Sequence, residues 1–276
     1  MRPRRSVLAA AVVAAVALAG TAGAAAPVLN AVGDIASCTS SGDEQTAALL
    51  ATMPGLIAVL GDIVYENGTE EEFARCFDPS WGPLIPRIKA ALGNHEYNSG
   101  SAKAAIARFG LPADGWYSYS VGAWHVIVLN SNCDRVGGCQ VGSRQYRWLE
   151  ADLAAHQNRC TLAYWHHPRF SSGIHGSDSR FNPFWSLLAR AHADVVLQGH
   201  DHDYERFAPV QGIRSFVVGT GGRSLYPVLF PRPGSVVRSN ANYGVLRLTL
   251  RPTNYTWAFV PVAGGTFRDS GSGRCR

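Results

Sequence analysis

Leu56–Leu60 is five apolar residues in unbroken succession, closed on each side by glycine. A strand with one face in water alternates apolar and polar side chains, so a continuous run of this length reads as a strand buried on both faces. A layered α/β arrangement provides that burial. The rest of the chain agrees with it. Val28–Val32 and residues 88–92 read as further short strands, and residues 44–52 read as a helix stopped by Met53-Pro54. Thr69 with Glu72 makes a capping box, its acidic run Glu70–Glu72 matched to the helix dipole. Residues 102–109 form a helix ending at Gly110. Tyr117–Val121 and residues 124–129, separated by Gly122-Ala123, read as an antiparallel hairpin, so the sheet is mixed. Ser143 caps a helix with Tyr146, Leu149 and Leu153 on one face, and Asn182-Pro183 opens another that runs to residue 191. Strands follow at residues 161–165, Val195–Gln198, 216–218, 243–250 and 255–260. The expected fold is a mixed β-sandwich flanked by helices, one α/β domain over residues 27–276.

Composition narrows the function classes. With 46% hydrophobic and 16% charged residues among 276, the chain forms a core and is neither disordered, coiled-coil nor collagen-like. Its net charge of +5 suggests an anionic partner until the basic residues are placed. Arg2, Arg4 and Arg5 are three of the 25, which leaves 22 basic against 20 acidic residues, so no nucleic-acid partner is expected. The basic start, the apolar stretch 7–18 and the small residues after it read as an export signal over residues 1–26. The stretch is short of the about 20 residues that span a bilayer, so no stable membrane insertion is expected after cleavage. Arg4-Arg5 is compatible with a twin-arginine signal, and an uncleaved apolar anchor is the plainer alternative. The expected location is secreted, periplasmic or extracellular. Six cysteines without a Cys-x-x-Cys agree, reading as disulfides rather than a thiolate metal site. Fifteen pairings exist. Cys133 and Cys139, flanking a short glycine-containing loop, close most easily, and Cys38 with Cys76 and Cys160 with Cys275 is the pairing expected for the rest.

The chemistry lies where the runs end. Gly33-Asp34 follows the first, Gly61-Asp62-x-x-Tyr65 the second and Gly93-Asn94-His95-Glu96 the third. His166 ends the strand at 161–165, and Gly199-His200-Asp201-His202 follows Val195–Gln198. Ligands collect at the carboxyl ends of strands in α/β sheets, and each preceding glycine lets the backbone turn sharply toward one crevice. An Asp after a strand, taken alone, is more often a turn former or helix cap, and a lone strand-end His a hydrogen-bonded residue. Five such ends together are different. Asp34, Asp62, Tyr65, Asn94, His166, His200 and His202 supply seven ligands, which suits two metals sharing a carboxylate better than one.

These blocks, with His166-x-Pro168 and His202-x-Tyr204-Glu205-Arg206, resemble the calcineurin-like metallophosphoesterases, and within them the purple acid phosphatases. They keep the family's order over residues 33 to 206, about two thirds of the chain. The resemblance implies that Asp34, Asp62, Tyr65 and His202 hold Fe(III), while Asp62, Asn94, His166 and His200 hold a divalent Zn, Fe or Mn ion, Asp62 bridging. His166 is favoured over His167 by the His-x-Pro spacing. Many relatives carry Asp-x-His in the first block where this chain has Asp34-Ile35-Ala36, and Tyr65 takes the vacant position, as in the purple subgroup. With an expected mature start near residue 27, the amino-terminal β domain of plant-type members is not expected here.

The implied activity is hydrolysis of phosphate monoesters, small phosphate-ester substrates attacked by a metal-bound hydroxide outside the cytoplasm. His95 would steady charged oxygens and His175 would protonate the leaving group, although a solvated loop role suits His175 between Gly173 and Gly176. Phosphodiesterase or nucleotide hydrolase activity on the same site is the alternative within the fold, and an exported, non-catalytic metal- or phosphate-binding protein the alternative outside it. Arg169, Arg206 and Arg223 sit beside motifs, Arg206 as support for a metal ligand. Gly219-Thr220-Gly221-Gly222 lacks the Gly-Lys-Ser/Thr of a phosphate loop and reads as a turn lining the site.

Overall fold

A computed structural model of the chain describes residues 25–228 and 230–276. All but the last two residues of the expected export signal lie outside them. Among the described residues no helix is long and apolar enough to cross a membrane. Two mixed sheets face one another. In the first, β1 (Val28–Val32), β2 (Leu56–Leu60) and β3 (Ile88–Ala91) run parallel, and β11 (Gly244–Leu250), β12 (Asn254–Pro261) and β13 (Ser270–Arg274) extend it antiparallel beyond β1. In the second, β5 (Trp124–Val128), β6 (Cys160–Tyr164), β7 (Val195–Gln198) and β9 (Arg214–Val218) run parallel. The hairpin strand β4 (Tyr117–Val121) closes one edge, and β8 (Tyr204–Phe207) with β10 (Ser235–Ser239) closes the other.

The unbroken apolar run is explained by its two environments. Ala58 and Leu60 of β2 pack into the core between the sheets with Leu162, Leu197 and Phe216 of the second sheet. Ile57 and Val59 face a second core, against Ala47 and Leu50 of α1 (Gly42–Thr52) and Trp81 of α3 (Asp78–Trp81). A third core lies outside the second sheet, where Leu149 and Leu153 of α5 (Arg144–Ala155) and Phe184 and Leu188 of α6 (Asn182–Arg190) cover Ile127 and Ala163. The fold is therefore the expected α/β sandwich of two mixed sheets covered by helices.

The local signals hold at their predicted places. Ser143 Oγ accepts from the Tyr146 N–H at the start of α5, and Gly110 ends α4 (Lys103–Phe109) at φ 61°. The Thr69–Glu72 capping box opens α2 (Glu70–Glu72), which passes through a π turn into α3. All six cysteines pair as expected: Cys38–Cys76, Cys133–Cys139 and Cys160–Cys275. The third, across 115 residues, ties β6 to the chain's last residues. A loop of that length restricts the unfolded chain by roughly 4–5 kcal/mol in the chain-entropy account.

Three strands were not legible. β13 reads Ser-Gly-Ser-Gly-Arg and has no apolar pattern, because its partner supplies the cover. Gly271 and Gly273 sit opposite Trp257 and Tyr255, whose rings fill the space a Cβ would need, at 2.3 and 2.4 Å. β8 is hidden inside a motif, and β10 is a short, half-exposed edge.

Candidate metal centre

Because β1, β2 and β3 are parallel, their carboxyl ends deliver Asp34, Asp62 and Asn94 to one edge of the first sheet. β6 and β7 do the same for His166, His200 and His202 in the second. The edges meet across the sandwich, and the side chains fill the seam.

The turns that place them differ from expectation in one respect. Only Gly61 among the preceding glycines has positive φ (89°), whereas Asp34 (61°), Asp62 (49°) and His200 (71°) themselves hold the left-handed conformation. Such backbone is costly for residues with a Cβ and persists where surrounding structure over-determines it. Gly93 and Gly199 are needed for space instead. A Cβ on Gly93 would lie 2.1 Å from Asp62 Oδ1, and one on Gly199 2.7 Å from Asp34 Oδ2.

The seven expected ligands come together in two groups that share Asp62. Tyr65 Oη lies 3.0 Å from Asp34 Oδ1, 3.1 Å from His202 Nε2 and 3.2 Å from Asp62 Oδ2. His166 Nε2 lies 3.1 Å from Asn94 Oδ1, 3.1 Å from His200 Nδ1 and 3.2 Å from the same Asp62 oxygen. His166 Nδ1 donates to the Leu60 carbonyl at 2.9 Å, which leaves Nε2 facing the other groups. Asp34, Asp62, Tyr65, His166 and His202 are buried.

Burial pushes Asp62 up, but His166, His95 and His200 outweigh it and hold its carboxyl below the usual range. Burial works against a charged His166, yet Asp62 raises it to about 9. Burial, with His166 beside it, lowers His200. Burial first, then Asp34 and Asp62, keep the Tyr65 phenol protonated well above its ordinary range. The seam therefore favours positive charge beside Asp62, at His166. Carboxylates, a phenol, an amide oxygen and imidazoles form a donor set that suits metal cations, so the residues present fit two ions.

Supporting residues were less visible in the sequence. Glu96 is fully buried and accepts from the N–H groups of Asp62, Ile63 and Gly93 at 3.0, 2.8 and 2.7 Å, fixing the Asp62 turn against Asn94. Burial and then Asp62 raise its carboxyl to about 7. Its place in Gly93-Asn94-His95-Glu96 was the only signal. Ser224 Oγ pairs with His202 Nδ1 at 2.7 Å, and Tyr226 stacks on the same ring at 4.0 Å. Asp201 accepts from the N–H groups of His175 and Gly176 and from Ser171 Oγ, shaping loop 171–176.

The two expected catalytic histidines border the centre. His95 Nδ1 donates to the Glu66 carbonyl at 2.7 Å, which turns Nε2 toward Asp62 Oδ2 at 3.9 Å. His175 is exposed, its ring 4.3 Å from that of His200. His167 turns Nδ1 to Ser131 Oγ at 2.8 Å, and burial, then His166, push it down to about 3; it is His166 that reaches Asp62. The turn 219–222 lines the site as expected, the N–H of Gly221 bonding Gly33 and that of Arg223 bonding Asp34. Arg206 supports no ligand: it pairs with Asp269 at 2.7 and 3.0 Å, beside Tyr204 and Trp257, and so ties the two sheets. Arg169 bonds Asn182, whereas Arg223 pairs with Glu66 and lies over the Tyr65 ring.

A second cluster, His125, Asp152 and His156, lies between β5 and α5. Its imidazole rings stack nearly parallel, 4.3 Å apart and 12° from coplanar orientation, so their in-plane lone pairs do not converge on one ion.

The sequence profile of the calcineurin-like phosphoesterases matches residues 30–204, more than half of the chain, and the chain belongs to that family. Human (Homo sapiens) acid phosphatase type 7 is 29% identical over 240 residues, which cover 68% of this chain and 53% of that protein. Purple acid phosphatase 15 of Arabidopsis thaliana is 26% identical over 239 residues, covering 69% and 44%. The chain thus spans about half the length of these curated relatives. The purple acid phosphatase from yellow lupin (Lupinus luteus) seeds shares the fold, with a TM-score of 0.75 at 20% identity over 89% of this chain and 53% of that one. The profile places the chain among the calcineurin-like phosphoesterases, and the relatives it resembles are acid and purple acid phosphatases.

Proposed function

We propose that this protein is an exported phosphatase that hydrolyses phosphate monoesters at a dinuclear metal centre. Asp34, Asp62, Tyr65 and His202 would hold Fe(III), and Asp62, Asn94, His166 and His200 a divalent Zn, Fe or Mn ion. The observation that carries this reading is the position of Asp62 Oδ2, 3.2 Å from both Tyr65 Oη and His166 Nε2, where one carboxylate serves two cation positions. Bound there, the ions supply Lewis-acid polarisation of the ester and acidification of water.

The chain's own groups then have defined tasks. Nε2 of His95, oriented by the Glu66 carbonyl, meets charge developing on the phosphoryl oxygens. His175, exposed and held by Asp201 through its backbone, exchanges its proton with solvent and passes it to the leaving oxygen. Glu96 keeps the Asp62 turn from relaxing when charge in the seam changes. A basin of about 180 Å³ beside Asn94, lined by Asn132, Asp134, Arg135, His167 and Arg180, is small, which suits a phosphate with one ester arm. Export is supported by three disulfides, which persist in oxidising compartments.

The test is a paired assay of p-nitrophenyl phosphate and bis-p-nitrophenyl phosphate on purified protein with metal analysis. Faster turnover of the monoester with two metals per chain is expected. Faster turnover of the diester would move the reading to a phosphodiesterase, and two bound metals without turnover of either ester would favour a binding protein.

A further inference from the structure

We propose that the cavity of about 580 Å³ beside Tyr97 is a second anion subsite, in which Lys103 and Arg135 hold a second phosphate carried by the substrate. This rests on the phosphatase reading above and names its substrate class: monoesters whose organic arm ends in another phosphate. Shared walls and hydrogen bonds put the cavity next to the centre. Asp134 and Arg135 line both this cavity and the basin that contains Asn94, so Arg135 stands between the two spaces. Asn132 carries the Arg135 turn: its carbonyl accepts from the Arg135 N–H at 2.8 Å, and its Nδ2 donates to the Leu92 and Gly93 carbonyls at 3.1 and 3.2 Å, immediately before Asn94.

The same segment braces the rest of the cavity. Asn130 Nδ2 donates to Tyr97 Oη at 2.8 Å and to the Asp114 carbonyl at 3.0 Å, and both of those residues line the space. The Cys133–Cys139 disulfide closes the loop that carries Arg135. Walls tied together in this way lose less freedom when a ligand arrives. Burial raises the Tyr97 phenol above its ordinary value, and the Asn130 bond and the Arg135 charge work against it, so that charge is felt at the Tyr97 wall. Tyr97, Ala102 and Ile106 make part of the lining apolar, and low-dielectric walls focus the field of a charge left without a counterion.

Ion pairing selects the occupant. Four charged side chains line the cavity, and its two carboxylates are engaged by arginines outside it, Asp114 by Arg144 at 2.7 Å and Asp134 by Arg180 at 3.8 Å. Among the described residues neither the Lys103 ammonium nor the Arg135 guanidinium has a hydrogen-bond or ion-pair partner, and both are exposed to an entering ligand. A single exposed cation is ordinary; two that line one cavity whose carboxylates are already paired leave it positive. The neighbouring spaces differ. The cavity across the loop shares Cys133, Asp134 and Arg180 with the basin, but Asp178 holds Arg180 there, at 2.9 Å from Nε and 2.7 Å from Nη2. Beside Tyr65 the wall carries Glu66, Glu71 and Glu72, which repel an anion. Only between Lys103 and Arg135 does a second phosphate displace no ion pair.

The test compares alkyl phosphates with ω-phosphonoalkyl phosphates, arms of propyl to hexyl length, by phosphate release; the phosphonate is an inert stand-in for the second phosphate. In parallel, calorimetry on the metal-loaded protein compares alkylphosphonates with alkane bisphosphonates of the same lengths. At low salt the doubly anionic member of the best-fitting pair should be preferred roughly fivefold to thirtyfold in kcat/KM and in Kd, the scale of two partly exposed charge pairs. Raising the ionic strength to about 0.5 M should cut that preference to under about threefold, because exposed charges are screened. In the double variant Lys103→Gln, Arg135→Gln, both exposed positions, the ratio within each pair should fall to within about twofold of unity. No preference at any arm length in the wild type, or one that survives in the double variant, would overturn the inference. Absence of turnover of every ester, together with a bisphosphonate preference that the double variant loses, would instead reject the phosphatase reading and leave the anion subsite standing.

Discussion

Two clusters in this protein set imidazoles against carboxylates, and they resolve the same problem in opposite ways. Between β5 and α5 the close contacts have donors to match: Ser118 Oγ donates to Asp152 at 2.7 Å, His125 Nε2 lies 2.6 Å from the other oxygen, and the His125 and His156 rings stack. Its members stand on or at the end of a regular strand and a regular helix. In the seam between the sheets, His166 Nε2 lies within 3.2 Å of Asn94, His200 and Asp62 while Nδ1 is turned to Leu60, and three of the ligands sit on left-handed backbone. Buried polar groups are normally satisfied within the protein, and the first cluster obeys that rule. In the seam the polar atoms find partners only by crowding against one another on strained backbone around one carboxylate, an arrangement that fits a site completed by cations. Residue type is common to both; the number of ligand atoms converging on one carboxylate separates them.

The sharpest way to break this comparison is to remove the shared carboxylate. Asp62→Ala should lose both metals, with turnover falling to background and a chelator producing no further drop in Tm, whereas the wild type loses Tm when chelated because bound metal stabilises only the folded state. Retention of one full equivalent of metal by Asp62→Ala would refute the bridging role. His95→Ala comes next: metal content by elemental analysis should be normal while kcat falls about 10²-fold or more, the range for removing a transition-state donor. Normal turnover would remove His95 from catalysis. Asn94→Ala should weaken the divalent site by at least about 10- to 100-fold, the scale seen for groups that only support a ligand, and leave the ferric ion in place. Equal loss of both ions would count against the two-group division.

Tyr65→Phe is milder in activity but decisive for identity. A phenolate bound to Fe(III) gives a visible charge-transfer band, which should vanish in Tyr65→Phe while the ring keeps its packing. An iron-loaded protein whose band persists in that variant would refute the ligation. The smallest functional effect is expected at the other cluster. Asp152→Asn should leave metal content and kcat unchanged and cost about 1–3 kcal/mol of stability through lost buried hydrogen bonds. Burial alone would raise the Asp152 carboxyl, but the bonds from His125 and Ser118 outweigh it and hold it below its ordinary value of 3.8. A depressed folded value means its contribution is present above that ordinary value and is lost as pH falls through the folded one. Thermal melts from pH 6 downward should therefore show a shallower acid limb in Asp152→Asn than in wild type. A metal loss in this variant would show that the second cluster had been misjudged.

Much of this was legible in order along the chain. The run Leu56–Leu60, the caps at Ser143 and Thr69, the hairpin at Gly122-Ala123 and every strand end that feeds the seam could be placed from local patterns, because period and turn chemistry act over a few residues. β13 could not, since its Ser-Gly alternation makes sense only opposite Trp257 and Tyr255. Nor could the turn mechanics: the sequence shows glycines before the ligands, but whether a glycine supplies a positive φ or room for a neighbour depends on what packs against it. Arg206 was misread for the same reason, its partner Asp269 being 63 residues away.

The sequence by itself determined which donors exist and at which strand ends they stand, since alternation and chain order are written into neighbouring residues. It also carried the family blocks and an even set of cysteines. Only the tertiary structure decided that the ends of two different sheets meet, that Asp62 lies equally close to Tyr65 and His166, and that Glu96 holds the turn beneath them. Apart from that of Asp62 to Tyr65, three positions on, those are distances between residues 33 to 166 positions apart, set by how the sheets pack on their common core, and no local pattern encodes them.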